Sequence, residues 1–129
     1  MIVVDTSAIV AVLLGESQGP AIEAQLLSSP CIMSAATRVE LGIVVEARNG
    51  PAGTQLLEEL LRRVGMQIHP VDEPVALEAL SGWRRFGKGR HPAALNFGDT
   101  FSYALARHLG QPLLFVGDDF SKTDVLPDL

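Results

Sequence analysis

The chain has 129 residues, of which 47% are hydrophobic, so we expect one domain over residues 1–129 with a substantial core. Fifteen acidic residues outnumber ten basic ones, and the net charge of −5 argues against a nucleic-acid partner, because Lys and Arg provide the charge that binds phosphates. The single cysteine, Cys31, excludes an internal disulfide framework and a Cys-based zinc site. No apolar run approaches the ~20 residues of a membrane span, and no signal-peptide pattern is present. These features predict a cytoplasmic protein without a membrane partner.

The first half of the chain alternates short apolar runs with helical patterns. MIVV is a strand candidate because it is short and rich in β-branched residues, and TSAIVAVLLG after it is predicted to be helical. A second helix is expected at about 21–27, followed by a short strand, CIM. Ser34 can cap a long helix that runs to about Arg48, where the Asn-Gly-Pro sequence at 49–51 should end it.

The second half continues the alternation. We expect helices at about 53–64, 73–86 and 98–109, with strands at MQIHPV and LLFV and a loop at GKGRHPAALN. The tail, DVLPDL, is a candidate for a short edge strand. Alternating strands and helices predict an α/β fold, a three-layer α/β/α sandwich around a central parallel sheet.

Acidic residues follow the two most apolar strand candidates. Asp5 ends the first, and Asp118 and Asp119 follow the last. In open parallel sheets, functional sites lie beyond the carboxyl ends of the strands, so these acids are expected at one edge. Each also has a simpler explanation, since Asp5 can cap the first helix and GDDF can form an ordinary turn.

Two further acids belong to predicted helices. Glu40 has only apolar neighbours at i−4, i+3, i+4 and i+7, and a buried, unpaired carboxylate costs several kcal/mol, so something must compensate its charge. Arg38 is two residues away and points to another side of the helix. Asp99 belongs to the first turn of its helix, where it can simply complement the helix dipole.

Convergence of these acids at one edge would favour a divalent cation. Close carboxylates repel one another and raise each other's pKa values, and a cation removes that penalty. Oxygen ligands without Cys or paired His favour Mg²⁺, for which Mn²⁺ can substitute. The acids of this cluster account for the whole net charge, so a metal-bound protein would no longer repel RNA; they are Asp5, Glu40, Asp99, Asp118 and Asp119.

The chain resembles the PIN-domain ribonucleases and, among them, the VapC toxins of type II toxin–antitoxin systems. The matching strings are VVDTSAIVAVLLGE, ATRVELGIVVEAR, KGRHPAALNFGDTFSYALAR and PLLFVGDDFSKTDV. The resemblance implies Mg²⁺-dependent hydrolysis of RNA phosphodiester bonds by a metal-activated water. It assigns catalysis to Asp5, Glu40, Asp99 and Asp119, of which Asp5, Asp99 and Asp119 hold metal. Related sequences vary the first acid of GDDF more than the second, which favours Asp119 and leaves Asp118 as a possible participant.

The resemblance also implies partners. It predicts a homodimer and a cognate VapB-type antitoxin that inserts a basic side chain among the carboxylates, where it offsets the same charge as the metal. A basic run at 84–90 is a candidate RNA-binding surface, although such runs are commonly solvated helix ends; its members are Arg84, Arg85, Lys88 and Arg90.

Two other functions remain open from the residues themselves. A doubly wound phosphatase or phosphoacceptor domain also needs an Asp after its first strand. Such phosphatases place a second acid two residues later, where this chain has Ser7. A metal-free binding module is the third possibility.

Overall fold

A computed structural model describes residues 1–129. Four parallel strands form one sheet in the order β3-β2-β1-β4. The strands are β1 (Ile2–Val4), β2 (Cys31–Ser34), β3 (Gln67–His69) and β4 (Leu113–Leu114). The helices are α1 (Thr6–Leu13), α2 (Gly19–Ser28), α3 (Ala35–Val64), α4 (Glu73–Phe86) and α5 (Phe97–Leu109). None of these helices combines the length and the apolar character required to cross a bilayer.

Alternate residues of the strands pack on opposite faces of the sheet. Ile2 and Val4 of β1 belong to a core cluster shared with α1, α2 and α3, whereas Val3 belongs to a second cluster built largely from α5 and the chain that follows it. Alternation of this kind is the period-two pattern of a strand that is buried on both sides. Helices therefore cover both faces, which confirms the predicted three-layer α/β/α fold.

The sequence signals at the ends of α3 act as predicted, with one difference. The Ser34 side chain accepts a hydrogen bond from the Ala36 backbone N–H at 3.1 Å and caps the helix. Gly50 has φ 63° and ψ −160°, so the backbone breaks where the Asn-Gly-Pro sequence predicts an end. The helix resumes directly at Pro51, and the two expected helices form one kinked element.

The last strand and the tail are shorter than predicted. Of LLFV, only Leu113 and Leu114 pair with β1. The Val116 N–H instead donates to Ser7 Oγ at 3.0 Å, which ties this segment to the start of α1. The tail makes a single bridge, Leu113 to Pro127, and not an edge strand; Leu126 O and the Asp128 N–H supply its two hydrogen bonds to Leu113.

Candidate active site

Three of the predicted site acids surround one cavity. Asp5 directly follows β1, Glu40 belongs to α3, and Asp99 belongs to the first turn of α5; all three line a cavity of about 390 Å³. Residues from the two faces of the sheet thus meet at the carboxyl end of β1. The predicted convergence at one edge is therefore present for Asp5, Glu40 and Asp99, whereas the two acids after the last strand do not line this cavity.

Asp5 is the most buried of the three, with a relative exposure of 4%. Its Oδ2 accepts hydrogen bonds from the Ser7 N–H at 3.1 Å and from Ser7 Oγ at 2.7 Å, so it does cap α1. Its Oδ1 accepts a bond of 2.5 Å from Ser102 Oγ on α5. All these partners donate to the carboxylate, and they hold it in one orientation while it faces the cavity.

Ser102 is a site residue that the sequence analysis missed. Its hydroxyl is buried between Asp5 and Thr37 of α3, whose Oγ1 lies 3.3 Å from Ser102 Oγ. The available signal was its position three residues after Asp99, which places it on the same side of α5. Ser102 connects β1, α3 and α5 behind the cavity.

Replacing Ser102 with Ala should therefore weaken the fold as well as the site. The change leaves a buried Asp5 oxygen without its donor, and we expect a loss of about 1–3 kcal/mol in the free energy of unfolding. Urea denaturation monitored by circular dichroism measures this loss. Ser28→Ala is the matched control, because Ser28 donates only to the Gln25 carbonyl oxygen on the exposed end of α2. Equal stability of the two variants would contradict the structural role of Ser102.

Glu40 lies against the first turn of α5. Its Oε1 accepts a hydrogen bond of 2.6 Å from Thr6 Oγ1, which fixes the carboxylate at the start of α1. On the other side it approaches Gly98 so closely that a Cβ on that residue would lie 2.8 Å from Glu40 Cδ. The absence of a side chain at Gly98 thus makes room for this carboxylate.

Asp99 has a dual role at the start of α5. It forms a reciprocal capping box with Asn96: Asp99 Oδ2 accepts from the Asn96 N–H at 3.0 Å, and the Asp99 N–H donates to Asn96 Oδ1 at 2.8 Å. The pKa of Asp99 is raised to about 6, chiefly by burial; the Asn96 backbone hydrogen bond opposes the rise, and the charges of Asp5, Asp119 and Glu40 add to it. The surroundings of Asp99 therefore favour its protonated, uncharged form.

The two acids of GDDF are less closely associated with the cavity. Asp118 and Asp119 are exposed and do not line it. The charge of Asp119 nevertheless contributes to the raised pKa of Asp99, and Asp118 is not among the contributing groups. The choice of Asp119 as the fourth acid stays a prediction, with its charge effect on Asp99 in its favour.

The donor set of the cavity fits a hard, hydrated cation. None of Asp5, Glu40 and Asp99 forms an ion pair with Lys, Arg or His. No three Asp, Glu, His or Cys side chains are close enough to one another to make a compact metal cluster. Mg²⁺ suits this arrangement, because it prefers oxygen ligands and commonly retains several waters beside one or two carboxylates.

The predicted RNA-binding residues lie away from this cavity. They are Arg84, Arg85, Lys88 and Arg90, at the end of α4 and in the loop after it. Arg85 pairs with Asp124 at 3.0 Å, and the Arg90 guanidinium lies 4.4 Å from the Trp83 ring centroid. Lys88 lines a separate cavity between α4 and α5. Their binding of RNA stays a prediction.

Two charged residues that the sequence analysis did not single out also line the acidic cavity. They are Glu16, after α1, and Arg48, in the last turn of α3 before the break at Gly50. Their side chains are exposed at the cavity. Only the packing of α1 against α3 brings these two positions together with the acids.

Comparison with known proteins gives a consistent result. A family model described as PIN domain matches residues 2–126. A Mycobacterium bovis protein named VapC ribonuclease Mb2780c is 46% identical over 127 residues, which are 97% of each chain. The crystal structure of Mycobacterium tuberculosis VapC20, a sarcin-ricin loop cleaving toxin, has a TM-score of 0.78 at 18% identity and matches 99% of this chain and 98% of its own. A toxin–antitoxin complex from Klebsiella pneumoniae matches with a TM-score of 0.73 at 16% identity, over 99% of this chain and 97% of its own.

Proposed function

This chain belongs to the PIN-domain family and, within it, to the VapC ribonucleases, and we propose that it is a Mg²⁺-dependent endoribonuclease, the toxin of a VapBC-type toxin–antitoxin system. The observation that carries the proposal is the meeting of Asp5, Glu40 and Asp99 at one cavity, where none of them forms an ion pair. The proposed PIN domain spans residues 1–129.

In the proposed mechanism, Asp5, Asp99 and Asp119 would hold the cation, with Asp118 as a further candidate; Mn²⁺ could substitute. When bound, Mg²⁺ supplies positive charge against the scissile phosphate and a more acidic water. The hydroxyls of Ser7 and Ser102 keep both Asp5 oxygens oriented. Glu40, fixed by Thr6, assists a second ion or positions the attacking water.

An antitoxin is the proposed regulator. The chain's membership of the VapC ribonucleases supports a cognate VapB-type partner, and the acidic cavity suits a basic side chain from that partner. A guanidinium in the cavity would neutralise Asp5, Glu40 and Asp99 and exclude the metal. Inhibition and catalysis would then compete for the same negative charge.

A homodimer is also proposed. Three large apolar side chains are exposed around one surface depression that shares Glu40 with the acidic cavity: Val39 at 62% and Ile43 at 64% on α3, and Phe97 at 80% on α5. A contiguous apolar surface of this kind is typical of a protein interface. A second copy of the chain is the partner that the family resemblance implies.

The cleavage assay that tests the function uses purified protein with single-stranded RNA and with a generic phosphate ester. Each substrate is incubated with Mg²⁺ or with EDTA. RNA cleavage in Mg²⁺ alone is the expected result. Turnover of the ester without RNA cleavage would instead support a phosphatase, and binding without turnover of either substrate would support a metal-free binding module.

A further inference from the structure

We propose that Arg48 is a phosphate-binding residue at the rim of the acidic cavity, where it holds an RNA phosphate beside the one that is cleaved. The inference rests on the proposed ribonuclease function. Its first support is that Arg48 is the only basic residue that lines this cavity. An acidic cavity repels RNA, so a cation at its rim is well placed to retain the strand.

Arg48 lies on the same side of α3 as Glu40, and it also lines a second cavity with Asn49 and Gly53. Glu40, Val44 and Arg48 are spaced by four residues, and all three line the cavity, so they form one stripe on the helix. The rise between the first and last is about 12 Å at 1.5 Å per residue. A position about two turns from Glu40, at the same cavity, suits contact with a phosphate near the scissile one.

Arg48 is also free to take a ligand. It forms no ion pair and no hydrogen bond, and its side chain is exposed. Two other arginines of α3 are already paired, Arg38 with Glu58 and Arg63 with Glu23. Glu16, across the same cavity, does not pair with Arg48. The unpaired guanidinium is suited to bidentate recognition of phosphate, which a lysine cannot reproduce.

A purely structural role predicts a different result. Arg48 occupies the last turn before the break at Gly50, where a cation can complement the helix dipole. In that case its replacement would change stability slightly and would leave RNA affinity unchanged. Measurements of RNA binding at several salt concentrations therefore separate the two roles.

The binding experiment uses Asp99→Asn protein in EDTA, so that RNA is bound and not cut, with fluorescence anisotropy of a labelled single-stranded RNA as the readout. Adding Arg48→Ala should weaken binding roughly tenfold, as expected for one charge-assisted contact. The dependence of log affinity on log salt should become shallower by about 0.7, the value for one phosphate contact with single-stranded nucleic acid. Arg48→Lys should restore the salt dependence and only part of the affinity.

Cleavage kinetics in Mg²⁺ provide the second readout, in otherwise unmodified protein. Arg48→Ala should raise KM roughly tenfold with little change in kcat, because the contact is made equally before and during the reaction. Arg62→Ala is the matched control, an exposed and unpaired arginine on the same helix that does not line the cavity. Equal affinity, salt dependence and KM in these two variants would overturn the role of Arg48 while unmodified protein still cuts RNA. Failure of unmodified protein to cut RNA would overturn the ribonuclease function itself.

Discussion

Replacement of Asp5 or Asp99 with Asn should abolish RNA cleavage, by at least about 100-fold, while the protein remains folded. Both acids face the cavity, and both are proposed to hold the cation that activates water and neutralises the scissile phosphate. An Asn side chain keeps the shape and one oxygen but loses the negative charge that attracts Mg²⁺. Rates of RNA cleavage in Mg²⁺, with circular dichroism as a check on folding, measure the effect.

The local hydrogen bonds explain why folding should survive. The oxygen of an Asn at position 99 can still accept from the Asn96 N–H, and an Asn at position 5 can still accept from Ser7 or Ser102. Asp72→Asn is the matched control, because Asp72 caps α4 through the Val75 N–H at 3.2 Å and lies outside the cavity. Cleavage at the unmodified rate by either site variant would refute the assignment of these acids.

Asp99→Asn should also stabilise the metal-free protein. Burial and the neighbouring acids raise the pKa of Asp99 from its ordinary 3.8 to about 6, so the folded state prefers the protonated form. Ionisation therefore costs stability as the pH rises through this interval, and Asn removes that cost. In EDTA at pH 7 we expect the substitution to raise the free energy of unfolding by about 1 kcal/mol. This is less than the free energy that corresponds to the full pKa shift, because Asp99 is partly exposed. Below about pH 4, where Asp99 is protonated in both states, we expect no gain. Urea denaturation of the variant and of unmodified protein at pH 7 and below about pH 4 measures whether the variant is the more stable of the two.

Much of this arrangement could be predicted from the sequence because local signals determine it. The apolar run before Asp5 predicts a buried strand, and the parallel topology places its end at the functional edge. The apolar neighbours of Glu40 predict an inward-facing carboxylate; Glu40 does line the cavity, but it is only half-buried and Ile43 beside it is 64% exposed. Asn96 and Asp99 carry the spacing of a helix start. These residues could be identified without knowledge of how the helices pack.

The remaining features depend on contacts between elements that are distant in the chain. Ser102 meets Asp5 across 97 residues, and its hydroxyl is distinguished from other helix serines only by that contact. Arg48 reaches the cavity because α3 packs beside α1, and nothing in its local sequence separates it from a solvated helix end. The tail is a candidate strand in the sequence, whereas in the structure only one bridge joins it to β4. Tertiary packing, and not propensity, decides such cases.

Gly98 tests the packing of α5 against α3 at the site, because it lies directly against Glu40. Replacement with Ala should reduce kcat for RNA cleavage by about tenfold or more, with the free energy of unfolding changed by no more than about 1 kcal/mol. A Cβ at this position would overlap the Glu40 carboxylate, with Glu40 Cδ only 2.8 Å away. Because the overlapping group is the end of a side chain, Glu40 can rotate away and release Thr6, so the cost falls on the site and not on the fold.

Two further variants separate this displacement from a general effect of Ala in a helix. Gly42→Ala makes the same change in the first part of α3, where the new Cβ would meet only Arg38 Nη1 at 3.3 Å, and it should leave cleavage unchanged. Glu40→Asp shortens the displaced side chain by one methylene, so the Gly98→Ala, Glu40→Asp double variant should be more active than the product of the two single effects predicts. If Gly98→Ala were as active as Gly42→Ala, the Glu40 carboxylate would not need its position against α5 for catalysis. If the two single effects on kcat simply multiplied in the double variant, positions 98 and 40 would act independently. That result would contradict a functional contact between Gly98 and the Glu40 carboxylate.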